Sequence, residues 1–160
     1  MITLRTELKK DTDFIETVYR SSREDELNLT NWTEEQKKAF ALMQCMAQLA
    51  EYHIKFPDAV YQVILFNKKS AGRLYTCEND TEIRLIDITL LPQFRGRGIG
   101  TSLLRDLIKK SDKVQKIMSL HVDPVNPAFH LYQRLGFSHV KSNGRYYYME
   151  RNLVSKDDHQ

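Results

Sequence analysis

The 160-residue chain has little of what builds a covalently stapled, fibrous or membrane-spanning protein. Its two cysteines, Cys45 and Cys77, lie far apart with no CxxC spacing and no nearby histidine pair, so neither a disulfide framework nor a zinc site is indicated. A reducing compartment is the default. His53, His130, His139 and His159 show no ligand spacing either, and no metal is expected. Six glycines and four prolines are too few for a collagen-like chain, and 10% aromatic content does not suit a disordered one. No apolar run approaches the ~18 to 20 residues of a membrane span. The opening Met1 to Glu7 lacks the apolar stretch of a signal peptide, so the expected location is cytoplasmic and no membrane partner is expected. Charge of one sign is also scarce. Twenty-four Lys and Arg against 21 Asp and Glu leave +3, too small a margin for the basic face of a nucleic-acid binder.

What is present is 41% hydrophobic content over a length that suits one core, and residues 1–160 read as a single domain with 155–160 as a frayed tail. Ile2 to Thr6 alternates as a short strand, and Phe14, Ile15, Val18 and Tyr19 mark a first helix. After the polar stretch Ser21 to Thr30, Thr33-Glu34-Glu35-Gln36 resembles a capping box. It opens a long helix whose apolar face is Phe40, Met43, Met46, Ala47 and Ala50. Val60 to Phe66 and Ala71 to Cys77 form a hairpin around Asn67-Lys68-Lys69-Ser70. The Ile- and Leu-rich run Ile83 to Leu91 reads as a central strand ended by Pro92. A helix over Gly98 to Lys110, a strand over Ile117 to Val122 and an Asn126-Pro127-capped helix ending at Gly136 come next. A final hairpin turns through Asn143-Gly144.

The strongest chemical signal is the glycine-rich turn from Leu91 to Thr101, between a buried strand and a helix. Glycine lets backbone approach a ligand, and the N–H groups and dipole of the helix start favour an anion. Arg95 and Arg97 add charge-assisted donors suited to a pyrophosphate. The dinucleotide fingerprint is broken by Thr101 where its third glycine belongs, and no G-x-x-x-x-G-K-[ST] occurs.

Arg95-Gly96-Arg97-Gly98-Ile99-Gly100 is similar to the Q/R-x-x-G-x-G/A signature of the Gcn5-related N-acetyltransferase (GNAT) family. Asn126 to Phe137, N-P-A-F-H-L-Y-Q-R-L-G-F, resembles that family's later Asn...Tyr...Gly-Phe segment, in the family order. The resemblance implies an α/β fold, a mixed and mostly antiparallel twisted sheet of about seven strands flanked by about four helices. It further implies acetyl-CoA as donor, CoA as product, and transfer to a primary amine of a small molecule or peptide by direct attack on the thioester. The pyrophosphate then falls on Arg95, Gly96, Arg97, Gly98, Ile99, Gly100 and Thr101. Pantetheine pairs with the strand at Ile88, Thr89 and Leu90, an N–H near Leu90 serves the oxyanion, and Asn126 adds a cofactor contact to its capping role. Tyr132 is the implied acid for the CoA sulfur.

The base position departs from the family. Where many members carry glutamate this chain has Arg84, which accepts no proton, so His121 late in the fifth strand is the candidate base and a water chain the alternative. Arg84 reads either as a holder of an acidic group on the acceptor or as an ion-pair partner of Glu82 or another carboxylate, and Asp87 as a structural partner for a cation. Trp32 and Tyr52 are the expected acceptor-lining residues. The competing reading is an acyl-CoA-binding regulatory or interaction module with little or no turnover, a reading that Arg84 raises and Tyr132 opposes. A homodimer is left open.

Overall fold

The computed structural model describes residues 1–153. Its elements run β1 (Ile2–Thr6), α1 (Thr12–Ser22), α2 (Glu24–Asn28), α3 (Glu34–Lys55), β2 (Val60–Phe66), β3 (Lys69–Glu78), β4 (Glu82–Leu90), α4 (Ile99–Val114), β5 (Ile117–Val122), α5 (Ala128–Arg134), β6 (Ser138–Asn143) and β7 (Tyr146–Arg151). The strands form a seven-stranded sheet in the order β1-β2-β3-β4-β5-β7-β6. Neighbours pair antiparallel at β1/β2, β5/β7 and β6/β7, while β4 and β5 run parallel and therefore need the crossover that α4 supplies. This is the mixed, mostly antiparallel sheet that the sequence implies. One helix more is present than expected, because α2 lies within the polar stretch read as a connection. Its five residues bury only Leu27, and so short a helix leaves no periodicity to read.

Two compact units are distinguishable. The first comprises Met1–Tyr75 and Asp87–Arg97, the second Thr76–Ile86 and the chain from Gly98 on. In the first, Ile15 and Tyr19 of α1 pack with Cys45 of α3, flanked by Phe14 and Leu49. Helix α3 opens with the expected reciprocal cap: Gln36 N–H donates to Thr33 Oγ1 (3.1 Å) and Thr33 N–H to Gln36 Oε1 (2.9 Å). Its inward face is not the expected one. Met43 is 58% and Met46 49% exposed, whereas Ala41 and Cys45 are buried. The reason is that Gln48 and Tyr52 on that same side reach a buried arginine cluster, described below, so polar groups occupy positions that the apolar count assigns to Met. The β2–β3 hairpin closes in two residues, Asn67 and Lys68, with φ of 49° and 69°, the mirror-type turn that matches strand twist. At Gly72 of β3 a Cβ would sit 2.1 Å from the Thr89 carbonyl oxygen, so only glycine fits.

Leu91 N–H bonds Ala71 C=O at 2.8 Å in the first unit, and Asn79 N–H bonds Glu82 C=O at 3.0 Å in the second.

In the second unit, α4 buries Ile99, Leu103 and Leu104 and lies against β5, whose Met118, Leu120 and Val122 are buried. Among the described residues no helix is long and apolar enough to cross a membrane.

Asp11 ties β1 to α1. Its carboxylate accepts both Arg5 guanidinium nitrogens at 2.8 Å and the Leu8 N–H at 2.7 Å, which hold its pKa down at about 2. A carboxyl with a depressed folded-state pKa stabilises the fold above its unfolded value and loses that contribution as pH falls through the folded one. Asp11→Asn is expected to cost ~1 to 2 kcal/mol at neutral pH, with Arg5 partly solvated. The wild-type and variant curves from urea unfolding should converge as pH is lowered from about 4 to about 2.

Candidate active site

The first unit carries the end of β4 and most of the glycine-rich turn. After Leu90 the chain makes one short 3-10 turn over Pro92–Phe94, and Arg95 Nε donates to the Leu90 carbonyl at 3.1 Å. The Arg97 guanidinium lies 5.8 Å from the Phe66 ring centre, and Phe66 packs edge-on to Phe94. Gly96 has φ +74°, with no atom near the site of a Cβ. The second unit then begins at Gly98, φ +79° and equally open, as the N-cap of α4. No side chain caps this helix, and its first internal bond is Ser102 N–H to Gly98 C=O at 3.0 Å. The N–H groups of Ile99, Gly100 and Thr101 therefore have no carbonyl within the helix to bond. An uncapped helix start entered through left-handed glycines suits a phosphate group.

Behind β4 the first unit encloses an ion pair. Arg73 of β3 is 1% exposed; its Nη2 donates to Asp87 Oδ2 at 2.7 Å and to Gln48 Oε1 at 2.8 Å, while Nε and Nη1 have no hydrogen-bond partner among the described residues. Its guanidinium lies 4.9 Å from the Tyr75 ring centre and 5.9 Å from that of Tyr19. Asp87 also accepts from Thr89 Oγ1 (2.6 Å) and from the Tyr52 hydroxyl (3.4 Å). Burial pushes the Tyr52 and Tyr75 phenols up, so both remain protonated, and Tyr75 donates to Glu7 at 2.5 Å. The backbone stretch Ile88, Thr89 and Leu90 thus starts from a carboxylate held on three sides.

The helical side of the same unit contains a cavity of about 320 Å³ walled by Tyr19, Leu27, Trp32, Phe40 and Ala41. Trp32 and Phe40 meet edge to face, centroids 4.9 Å apart. Of the two expected acceptor residues, Trp32 lines this cavity, whereas Tyr52 is turned to Asp87 and Tyr75.

In the second unit Arg84 stands opposite Ser119 across β4 and β5, and His121 opposite Tyr148 across β5 and β7. The Arg84 guanidinium donates to Ser119 Oγ (3.3 Å) and to His121 Nδ1, and lies 5.6 Å from the Tyr148 ring centre. The guanidinium has donors only, so it engages the Nδ1 lone pair of His121. Tyr132 on α5 is 6% exposed, its ring edge-on to Phe137 at 5.8 Å. The Asn126 side chain accepts the Ala128 N–H at 3.0 Å, the expected cap.

A sequence model of the Acetyltransferase (GNAT) family matches residues 23–137. The chain belongs to the GNAT acetyltransferase family. Over 66 residues it is 35% identical to a Sulfurisphaera tokodaii protein named N-alpha-acetyltransferase, a match covering 39% of this chain and 40% of that one. The chain thus spans about two fifths of that relative's length. The fold of this GNAT chain is similar to that of PaiA N-acetyltransferase of Thermoplasma acidophilum, solved with coenzyme A (TM-score 0.67, 18% identity, 96% of this chain and 99% of that one). It is also similar to that of the Campylobacter jejuni N-acetyltransferase PseH, solved with acetyl coenzyme A (TM-score 0.63, 15% identity, 96% and 100%).

Sequence reasoning missed Arg73, Gln48 and the cavity of this GNAT domain. A charged residue inside the apolar run Ala71 to Cys77 was the available signal, since arginine enters a central strand only with a partner. Arg73→Met should cost about 3 to 5 kcal/mol, because it strands the Asp87 carboxylate. The double variant Arg73→Met/Asp87→Leu should recover most of that in urea unfolding.

Proposed function

We propose that this GNAT protein is an acetyl-CoA-dependent N-acetyltransferase acting on the primary amine of a small molecule or peptide. The uncapped start of α4, entered through two open left-handed glycines, carries the reading. The relative named N-alpha-acetyltransferase supports an amine acceptor. The free thiols Cys45 and Cys77 support a reducing, cytoplasmic setting.

Acetyl-CoA supplies an activated acetyl thioester. The backbone N–H groups at residues 98–101 hold its pyrophosphate, with Arg95 and Arg97 turning from their present Leu90 and Phe66 contacts to add charge-assisted donors. The backbone of Ile88, Thr89 and Leu90 orients the pantetheine arm, with Asn126 as a further contact and an N–H near Leu90 stabilising developing negative charge on the acetyl oxygen. Tyr132 gives its phenolic proton to the departing sulfur. His121, its Nδ1 lone pair engaged by Arg84, is a poor proton acceptor in this arrangement, so water takes the proton from the amine. That same engagement of Arg84 favours the second reading, a binding module without turnover; free-thiol release over the uncatalysed background with a panel of amines separates the two.

Gly98→Val forces a side chain into φ +79° at the point where phosphate meets backbone, and calorimetry should show acetyl-CoA affinity lost with circular dichroism unchanged. Arg97→Ala should weaken the same binding by roughly 1.5 to 3 kcal/mol. Unaltered affinity in the Gly98 variant would remove the basis of the reading.

Tyr132→Phe keeps the ring against Phe137 and deletes the O–H. Its kcat should fall by ~100 to 10,000-fold while acetyl-CoA affinity and Tm stay near wild type. Wild-type turnover in this variant assigns Tyr132 to the core.

A further inference from the structure

We infer that the outward face of α3 is the surface through which two copies of this chain pair, helix against helix and antiparallel about a two-fold axis, a contact independent of the acetyl-transfer reading.

The face is apolar where a solvated helix is polar. Phe40, Met43, Met46, Ala47, Ala50 and Ile54 fall within one ~120° arc of α3, and every one of them is exposed, Ile54 by 81%. From Ala39 to Ile54 that arc contains no charged residue. The helix cannot roll to bury it, because its opposite side is committed. Ala41 and Cys45 are buried there, Gln48 accepts from Arg73, and Tyr52 donates to Asp87. Rolling α3 would strip the buried guanidinium of its second acceptor. A contiguous apolar stripe along a 22-residue helix, ~33 Å long, marks a contact surface rather than a scatter of exposed side chains.

Three features select a second copy as the occupant. The first is spacing. Phe40, Met43, Ala47, Ala50 and Ile54 recur in steps of three and four, the period of a helix-on-helix seam. The second is the order of sizes along that seam. When another α3 is laid antiparallel so that Met43 meets Ala47, Phe40 meets Ala50, and large side chains interdigitate with small ones in each central layer. A parallel partner would set Phe40 on Phe40 and Ala47 on Ala47. The third is charge. Lys37, Lys38 and Lys55 balance Glu34, Glu35 and Glu51, so α3 has no net charge with which to hold an anionic membrane or a strongly charged protein. In the antiparallel register Lys37 of one copy falls beside Glu51 of the other, at both ends of the seam, whereas parallel helices would bring like charges together. Each of these residues already has a partner on its own helix, Glu34 for Lys37 (3.2 Å) and Lys55 for Glu51 (2.8 Å). The charges therefore set direction by joining two pairs into a network, and the apolar seam holds the copies together.

The oligomeric state of the full chain is the test. Sedimentation equilibrium should give twice the chain mass, with a Kd at or below about 10 µM. Met43→Glu places a carboxylate in the seam and should weaken the dimer at least ~10-fold with circular dichroism unchanged, because Met43 faces solvent in the single chain. Ala47→Glu should do the same. Val60→Glu, at a comparably exposed apolar position on β2, should leave Kd within about twofold. Cross-linking in a Cys77→Ser background reads the direction of pairing. Met46 lies beside the two-fold axis, so Met46→Cys should oxidise to a disulfide-linked dimer, whereas Ile54→Cys, opposite Gln36, should not. A chain that stays monomeric at about 100 µM overturns the proposal, and if it then sediments with phosphatidylglycerol vesicles the face belongs to a membrane. A dimer that both glutamate variants of α3 leave intact overturns it too, since the copies then meet elsewhere. Ile54→Cys linking as readily as Met46→Cys overturns the antiparallel arrangement.

Discussion

A guanidinium taken out of water organises the first unit. Arg73 on β3 has Asp87 as its ionic partner, and the desolvation of both is tolerable only because the geometry is short and Gln48 adds a second acceptor. From this pair follow features that otherwise look unrelated. Helix α3 turns small and polar residues inward and leaves its methionines outside. Tyr19 and Tyr75 lie against the guanidinium, and the segment that leads from Asp87 into the glycine-rich turn begins at a fixed carboxylate.

A second arginine, Arg84, does the opposite kind of work in the other unit. Its position on β4 is the one the family resemblance assigns to a basic carboxylate, and its contact with His121 Nδ1 draws the nearest candidate base into a cluster with Ser119 and Tyr148.

The local signals in the sequence that proved readable were those with a local cause. The Thr33/Gln36 cap, the Asn126 cap, the glycine turn and the C-terminal hairpin each depend on neighbours within a few residues, and each is where the pattern places it. The inward face of α3 was misread because its identity depends on Arg73, which is remote in sequence. The cavity was only partly legible: Trp32 stood out as the single tryptophan, but Tyr19, Leu27 and Phe40 carry ordinary core signatures and meet it only through tertiary packing. The tail at 155–160 lies outside the described residues.

Gly72 and Gly98 answer to different constraints. Gly72 is a matter of room, since a Cβ there would meet the Thr89 carbonyl oxygen. Gly98 has nothing near it, and what it requires is handedness: φ +79° is the mirror image of the region that L-residues favour. A semisynthetic chain with D-alanine at Gly98 satisfies that requirement and fixes the turn more firmly than glycine does, because the D-residue has fewer unfolded conformations to lose. Chirality is the property this turn demands of the position.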